Sequence, residues 1–506
     1  MGLGVITKCF IILVVFRFAS IALGDEVAID KRCDQTVRHP SQCKNLMIQY
    51  LTLKTTTTEF LEVYVEQTLD GSVKAKSDTY SLGSQLKQGQ KEAWEDCMDL
   101  YDQTIYRLNQ SVSCLKKVCY GSDVQTWLST ALTNLDTCRE RMSEVGVSSH
   151  SLQSVLQSIT VDVINALAIS KGMKRKFGIL KALPIESPST NGGRVDVVVA
   201  KDGSGDYKTI QEAVDGAGKR TKTSRRYVIR VKQGTYEEYV IVGSQSNNIM
   251  IIGDGIGKTV ITGDRSNGTG FSTYESATFL AKGDGLVLKN MTIRNTAGPE
   301  NKQAVALRSD SDASAFHRCS FEGFQDTLYV RASRQFFKEC DIYGTVDFIC
   351  GYAAVVFQDC QIFAQRPSGG VNTITAENRV NTNHTGEIVI HNSVVKGAPD
   401  VRLGGVKTYL GRPWSVYART MVMKTQLDRL VDPKGWLQWG NRRDISSMYY
   451  AEYRNWGPGS GTENRVKWPG FHVISDVQEA RRFTVRNFID GASWLPETGV
   501  PFSVDL

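Results

Sequence analysis

Polar residues of a few types recur in the C-terminal half at intervals in the low twenties: Gln303, the pair Gln325-Asp326, and Asp347. If that interval is one turn of a coiled strand arrangement, residues a turn apart stack roughly 4.8 Å from each other. Two amides and two carboxylates then gather on neighbouring turns. Carboxylates this close do not both ionise readily, so one pKa rises while the other stays low, and one residue type supplies both an acid and a nucleophile or base. Asp347 lies inside an apolar, strand-like run, Gly344-Thr345-Val346-Asp347-Phe348-Ile349-Cys350-Gly351. Arg412, in Leu410-Gly411-Arg412-Pro413-Trp414, has glycine and proline shaping its backbone. Beside Asp347 it would hold that carboxylate ionised and oriented through paired hydrogen bonds. Trp414 and Trp436 offer flat apolar faces for sugar rings, although packing is the commoner fate of a Trp. No Gly-x-Ser-x-Gly elbow and no calcium loop occur, and the six His form no metal-spaced cluster, so no metal site is expected.

The elements that must position this column read as short β-rich runs broken by Gly, Asn and Asp, for example 195–200, 227–231, 248–252 and 278–281. Leu288-Lys289-Asn290-Met291-Thr292-Ile293, Phe316-His317-Arg318-Cys319-Ser320-Phe321, Phe337-Lys338-Glu339-Cys340-Asp341-Ile342 and Phe357-Gln358-Asp359-Cys360-Gln361-Ile362 share one layout, the last three starting 21 and 20 residues apart. Short strands with such a period predict a β-solenoid, each coil burying side chains that it could not bury alone. A parallel β-helix is favoured over a sandwich, because a Greek key does not repeat similar coils. No helix of useful length separates the runs, which disfavours a βαβ fold.

The N-terminal half has a different period. Ala93, Cys97, Leu100 and Tyr101 fall on one helical stripe, Val124, Trp127, Leu128, Ala131, Leu132 and Leu135 on another, and 155–167 repeats the pattern. Several such helices without strand alternation predict an up-and-down bundle. Lys8 followed by the apolar run Phe10 through Phe16, interrupted by Arg17 and followed by Ala22 and Gly24, has the layout of a signal peptide and not of a membrane span. The expected organisation is a leader over 1–24, a bundle over 25–175, a linker or processing region over 176–193, and the β-helix over 194–506. An exported chain with eleven cysteines favours disulfides. Cys33 and Cys43 are close in sequence and Cys97 and Cys138 lie on separate helices, but spacing alone leaves the pairing open, and Cys114 and Cys119 add to the choices. Sequons at Asn109, Asn267, Asn290 and Asn383 agree with export. Of the net charge of +7, +6 falls in 191–506, which suits an anionic partner or simple solubility. No basic run or nucleic-acid motif is present, which argues against nucleic acid.

With these residues in place, Gly234-Thr235-Tyr236-Glu237-Glu238, Gln303-Ala304-Val305-Ala306-Leu307, Gln325-Asp326-Thr327-Leu328, Asp347-Phe348-Ile349-Cys350-Gly351 and Leu410-Gly411-Arg412-Pro413-Trp414 resemble, in order, the motifs of plant pectin methylesterases. The N-terminal half resembles the pectin methylesterase inhibitor domain, with Cys33, Cys43, Cys97 and Cys138 at that family's four cysteine positions. The resemblance implies an extracellular, cell-wall enzyme acting on methyl-esterified homogalacturonan without a cofactor. It makes Asp347 the nucleophile, Gln303 and Gln325 the donors to the tetrahedral oxyanion, Asp326 the acid and then base, and Arg412 the positioning group. Thr273, Gln303, Arg412, Trp414 and Trp436 would line the sugar subsites, and Cys340 would pair with Cys360. It also implies restraint of the enzyme by its own bundle, and a proteinaceous inhibitor as a possible partner. Cys350 stands where the family often has Phe, and strand alternation would put it on the face opposite Asp347. A galacturonan hydrolase or lyase on the same fold is the main alternative, since paired acids also suit glycoside hydrolysis. The two glutamines and Arg412 fit an ester oxyanion better. A non-catalytic wall protein acting through its bundle is a third reading.

Overall fold

The computed structural model describes residues 29, 33–47, 56–117, 121–147, 150–173, 195–219, 225–399, 401–441 and 444–506. They form two compact units divided between Leu180 and Lys181. The expected leader and linker lie outside the described residues.

The first unit is all helical: α1 (Pro40–Met47), α2 (Thr57–Leu82), α3 (Gln88–Leu115), α4 (Gly121–Glu144) and α5 (His150–Ser170). Helix α2 starts on a reciprocal cap, in which the Glu59 N–H donates to Thr56 Oγ1 (3.2 Å) and the Thr56 N–H to the Glu59 carboxylate (3.1 Å). The stripes read from the sequence face inward, except that Trp127 is only half-buried. Over Leu152–Ser170, α5 is long and apolar enough to cross a membrane, with mean hydropathy 1.4. Its packing against α2 and α4 accounts for that composition. Disulfides join Cys33 to Cys43, and α3 to α4 through Cys97 and Cys138. Cys114 is disulfide-bonded as well.

The second unit is a right-handed parallel β-helix. One face is a seven-stranded parallel sheet running Val240–Val242, Phe279–Ala281, Leu307–Ser309, Leu328–Val330, Ile349–Gly351, Val371–Glu377 and Lys407–Gly411. The remaining strands form a seventeen-stranded sheet that bends around the other faces. The repeated segments stack in register: Leu288, Phe316, Phe337, Phe357, Ile390 and Val422 form one inward column. Within it the rings of Phe316 and Phe337 (4.3 Å) and of Phe337 and Phe357 (4.7 Å) lie face to face.

The third residue of each repeat is a sharp corner. Asn290, Arg318, Glu339 and Asp359, continued by Asn392, Lys424 and Arg454, all have left-handed φ between 48° and 57°. The corner cancels strand alternation, so the first and fourth positions of the repeat, three residues apart, both point inward. This turns Met291, Cys319, Cys340 and Cys360 into the core. The expected Cys340–Cys360 bridge is not formed: both are separate, buried thiols. The two thiols neighbour each other on successive coils as hydrogen-bond partners, unbridged. Cys340 Sγ also contacts the Phe316 carbonyl (3.4 Å) and Cys360 Sγ the Phe337 carbonyl (3.6 Å).

A helix unforeseen in the sequence, α6 (Ile210–Gly218), packs on the first strands with Ile210, Ala213, Val214 and Ala217 buried. The Glu238 carboxylate accepts the N–H groups of Ile210 and Gln211, both at 3.0 Å, and so holds its N-terminus. At the C-terminus, Ser503 and Gln358 exchange two hydrogen bonds (2.7 and 2.9 Å) that fasten the tail to the solenoid's outer face.

Candidate active site

The seven-stranded sheet brings the polar column together. Leu328 pairs with Ile349, which sets Asp326 and Asp347, each two residues earlier, side by side on successive coils. The Asp326 N–H donates to the Val346 carbonyl at 3.0 Å. One coil before, Gln303 and Gln325 form a parallel bridge. Both aspartates have left-handed φ, 60° at Asp326 and 51° at Asp347. That conformation is costly for most side chains, tolerable for Asp, and clusters where structure serves function.

Asp347 is held on every side, at 4% exposure. Arg412 donates to it through Nε (2.8 Å to Oδ1) and Nη2 (2.5 Å to Oδ2). Thr373 Oγ1 donates to Oδ1 at 2.6 Å while accepting the Asp347 N–H at 2.9 Å. Asp326 is almost as buried, and its carboxylate accepts from Thr273 Oγ1 at 3.5 Å, the outer limit of a hydrogen bond. Burial first, and the Asp347 carboxylate second, push its pKa well above the ordinary range, against the opposing pull of Arg412 and Thr273. A carboxyl held well above its ordinary range therefore sits beside an anchored, hydrogen-bonded partner. Gln303 and Gln325 are half-exposed, and their side-chain amides have no hydrogen-bond partner among the described residues.

An aromatic wall flanks the acids. The Arg412 guanidinium lies over the Trp439 ring (4.1 Å), which is nearly parallel to Trp414 (6.2 Å, 6°). Tyr329 and Tyr352 approach Trp414 at 6.3 and 6.1 Å. Trp436 is not part of this wall. It is 1% exposed, in the solenoid core, with its ring 4.4 Å from that of Tyr450. Trp439, three residues on, stands in the wall instead. Cys350 likewise departs from its expected face: it clusters with Tyr329, Tyr352 and the partly buried Trp414 and Trp439 on the cleft side. The left-handed turn at Asp347 breaks alternation, so Phe348 and Ile349 both enter the core and Cys350 faces out. Sequence reading also missed Thr373, whose only signal was its place in the alternating run Asn372-Thr373-Ile374-Thr375. Among the sequons, Asn109 and Asn267 are exposed, and Asn290 and Asn383 are half-buried.

A carboxylate fixed by Arg412 and Thr373 beside a buried carboxyl of raised pKa lets two copies of one side chain divide nucleophilic and acid work, as a carboxylic ester hydrolase built on a parallel β-helix requires. A family model described as Pectinesterase matches residues 196–492, and one described as Plant invertase/pectin methylesterase inhibitor matches 27–169. The "Putative pectinesterase/pectinesterase inhibitor 38" of Arabidopsis thaliana is 67% identical over 94% of this chain and 99% of its own length. "Pectinesterase 2" of Citrus sinensis is 45% identical over 98% of each chain. A solved structure of a pectin methylesterase from carrot is 46% identical with TM-score 0.61, covering 63% of this chain and all of its own. The chain belongs to the pectinesterase family and carries an N-terminal domain of the inhibitor family.

Proposed function

We propose that the solenoid removes methyl groups from homogalacturonan through a covalent intermediate on Asp347. The Asp347 carboxylate attacks the ester carbonyl, and the amides of Gln303 and Gln325 donate to the oxyanion that develops. As the intermediate collapses, the methoxy oxygen takes the proton from Asp326 and leaves as methanol. Water then attacks the acyl–Asp347 anhydride, returns a proton to Asp326, and releases the galacturonate carboxylate. Arg412 and Thr373 keep the nucleophile in place, while Thr273, Gln303, Arg412, Trp414 and Trp439 line the sugar subsites. The observation that carries this reading is the contrast between Asp347, gripped by Arg412 and Thr373, and Asp326, buried with its pKa raised. The test is product analysis on esterified pectin: methanol released without shortening of the polymer is expected, whereas new chain ends would make the enzyme a hydrolase or lyase.

The inhibitor-type domain supports a second assignment, restraint of the esterase until processing during export to the cell wall. Cleaving the chain between the units should raise methanol release, and equal turnover of cut and uncut forms would contradict the assignment.

A further inference from the structure

Thr273, whose hydroxyl reaches the Asp326 carboxylate, stands on a short turn that precedes the strand Phe279–Ala281. The turn is tied at both ends. Ser272 Oγ donates to the Glu275 carboxylate (2.7 Å), and Ser276 Oγ donates to the Thr273 carbonyl (3.4 Å) while accepting the Val305 N–H (3.2 Å). Its middle residue, Tyr274, is buried and held twice by one guanidinium. Arg308 Nη1 donates to the Tyr274 carbonyl at 2.7 Å, and the guanidinium carbon lies 3.2 Å from the centre of the Tyr274 ring.

Arg308 is itself fixed by a second pair of charges. The Asp310 carboxylate accepts from Arg308 Nη2 (2.8 Å) and from Arg331 Nε (2.6 Å), and all three groups are buried. Burial alone would raise the Asp310 pKa, but the two guanidinia hold it below the usual carboxylate range. The cluster joins three successive coils: Tyr274 leads into the first, Arg308 and Asp310 belong to the second, and Arg331 follows the Asp326 strand on the third.

Stacking requires no charge at this position. Arg308 is in register with Leu280 and Tyr329, and Tyr329 in turn with Cys350 and Ala376, so neighbouring coils fill the same place with uncharged side chains. A buried ion pair is also no stronger a support than apolar packing of similar volume. What sets the coil of Arg308 apart is the turn that carries Thr273. We propose that Arg308 is a positioning residue for the acid: by clamping Tyr274, it keeps the Thr273 hydroxyl aimed at Asp326. The proposal rests on the esterase reading above and adds to it a buried residue that acts through the turn.

The test is the alkaline limb of kcat for methanol release. Asp326 is faced by the Asp347 carboxylate, the Arg412 guanidinium, the Cys350 thiol and the Thr273 hydroxyl. The hydroxyl donates to the charged carboxylate and favours it, so withdrawing it moves the limb to higher pH. Thr273→Val should shift the limb by about half a pH unit, the size of one weak hydrogen bond. Arg308→Lys keeps the charge beside Asp310 and loses the fork, and should shift it in the same direction by about as much. In the double variant the shifts should not add, because both remove one contact. Should Arg308→Lys not fold, Tyr274→Leu, which leaves Arg308 and Asp310 paired, should move the limb the same way. Arg334→Lys, which loosens the buried pair with Asp312, is the control: it should lower the midpoint of thermal unfolding and leave the limb in place. An unmoved limb in the folded Arg308 or Tyr274 variant, additive shifts, or an equal shift in Arg334→Lys would overturn the role of Arg308. A wild-type enzyme that releases no methanol would overturn the esterase reading and this proposal with it.

Discussion

The Asp326 carboxyl has burial and a neighbouring carboxylate for company, whereas the Asp347 carboxylate has a guanidinium fork and a threonine hydroxyl. At the residue scale, the roles of acid and nucleophile follow from these neighbours and not from the side chain itself. Thr373→Val removes a donor to Oδ1 and an acceptor for the Asp347 N–H. Charge-assisted bonds of this kind contribute about 1.5–3 kcal/mol, so kcat should fall roughly 10- to 100-fold with KM little changed, as read from initial rates of methanol release. The pH profile follows from Asp326. Its raised pKa keeps the proton needed by the leaving methoxide, and that proton is lost as pH rises through the folded value. The alkaline limb of kcat should therefore belong to Asp326, and an Asp326→Glu variant retaining activity should move it. Trp439→Ala should weaken substrate binding, seen as a higher KM, while Trp436→Phe should act on stability alone because Trp436 lies in the core.

Among the elements, the left-handed corners decide which residues face inward. Lys424 sits at such a corner with φ of 50°. Lys424→Val should cost about 1–2 kcal/mol in thermal or denaturant unfolding, because a branched Cβ is strained there, whereas Lys424→Asn should be close to neutral. The same corners explain what was legible in the sequence and what was not. The repeat and the column Gln303, Gln325-Asp326, Asp347 could be read because stacking in register preserves residue type from coil to coil. The faces of Cys350 and the geometry of Cys340 and Cys360 could not, since period-two alternation holds only while φ stays extended. The helix α6 was missed because its nine residues contain two glycines and carry little periodic signal before tertiary packing selects them. Choosing Trp436 over Trp439 failed for a similar reason: type and spacing show that an aromatic is nearby, but not which of two passes through the sheet.

In the whole molecule, a buried acid in the bundle ties its stability to pH. Asp162 accepts hydrogen bonds from Gln42 Nε2 (2.9 Å) and Tyr64 Oη (3.2 Å), tying α1 and α2 to α5. Burial raises its pKa to about 6, against those two bonds. An acid whose folded pKa exceeds its unfolded value binds more protons when folded, so its contribution is present below about pH 4 and is lost as pH rises through about 6. The bundle should therefore be less stable at pH 7 than at pH 4 by roughly 2–3 kcal/mol from this group, and Asp162→Asn should flatten that dependence in calorimetry of the whole chain. The solenoid, with its own continuous core, should not share that change.

The most direct test of the central claim is methanol release by Asp347→Asn and Asp326→Asn, each confirmed to be folded by circular dichroism. Two carboxyls sharing one covalent mechanism predict a loss of at least about a thousandfold for Asp347→Asn and of about a hundredfold or more for Asp326→Asn. Near wild-type turnover in either variant would contradict it.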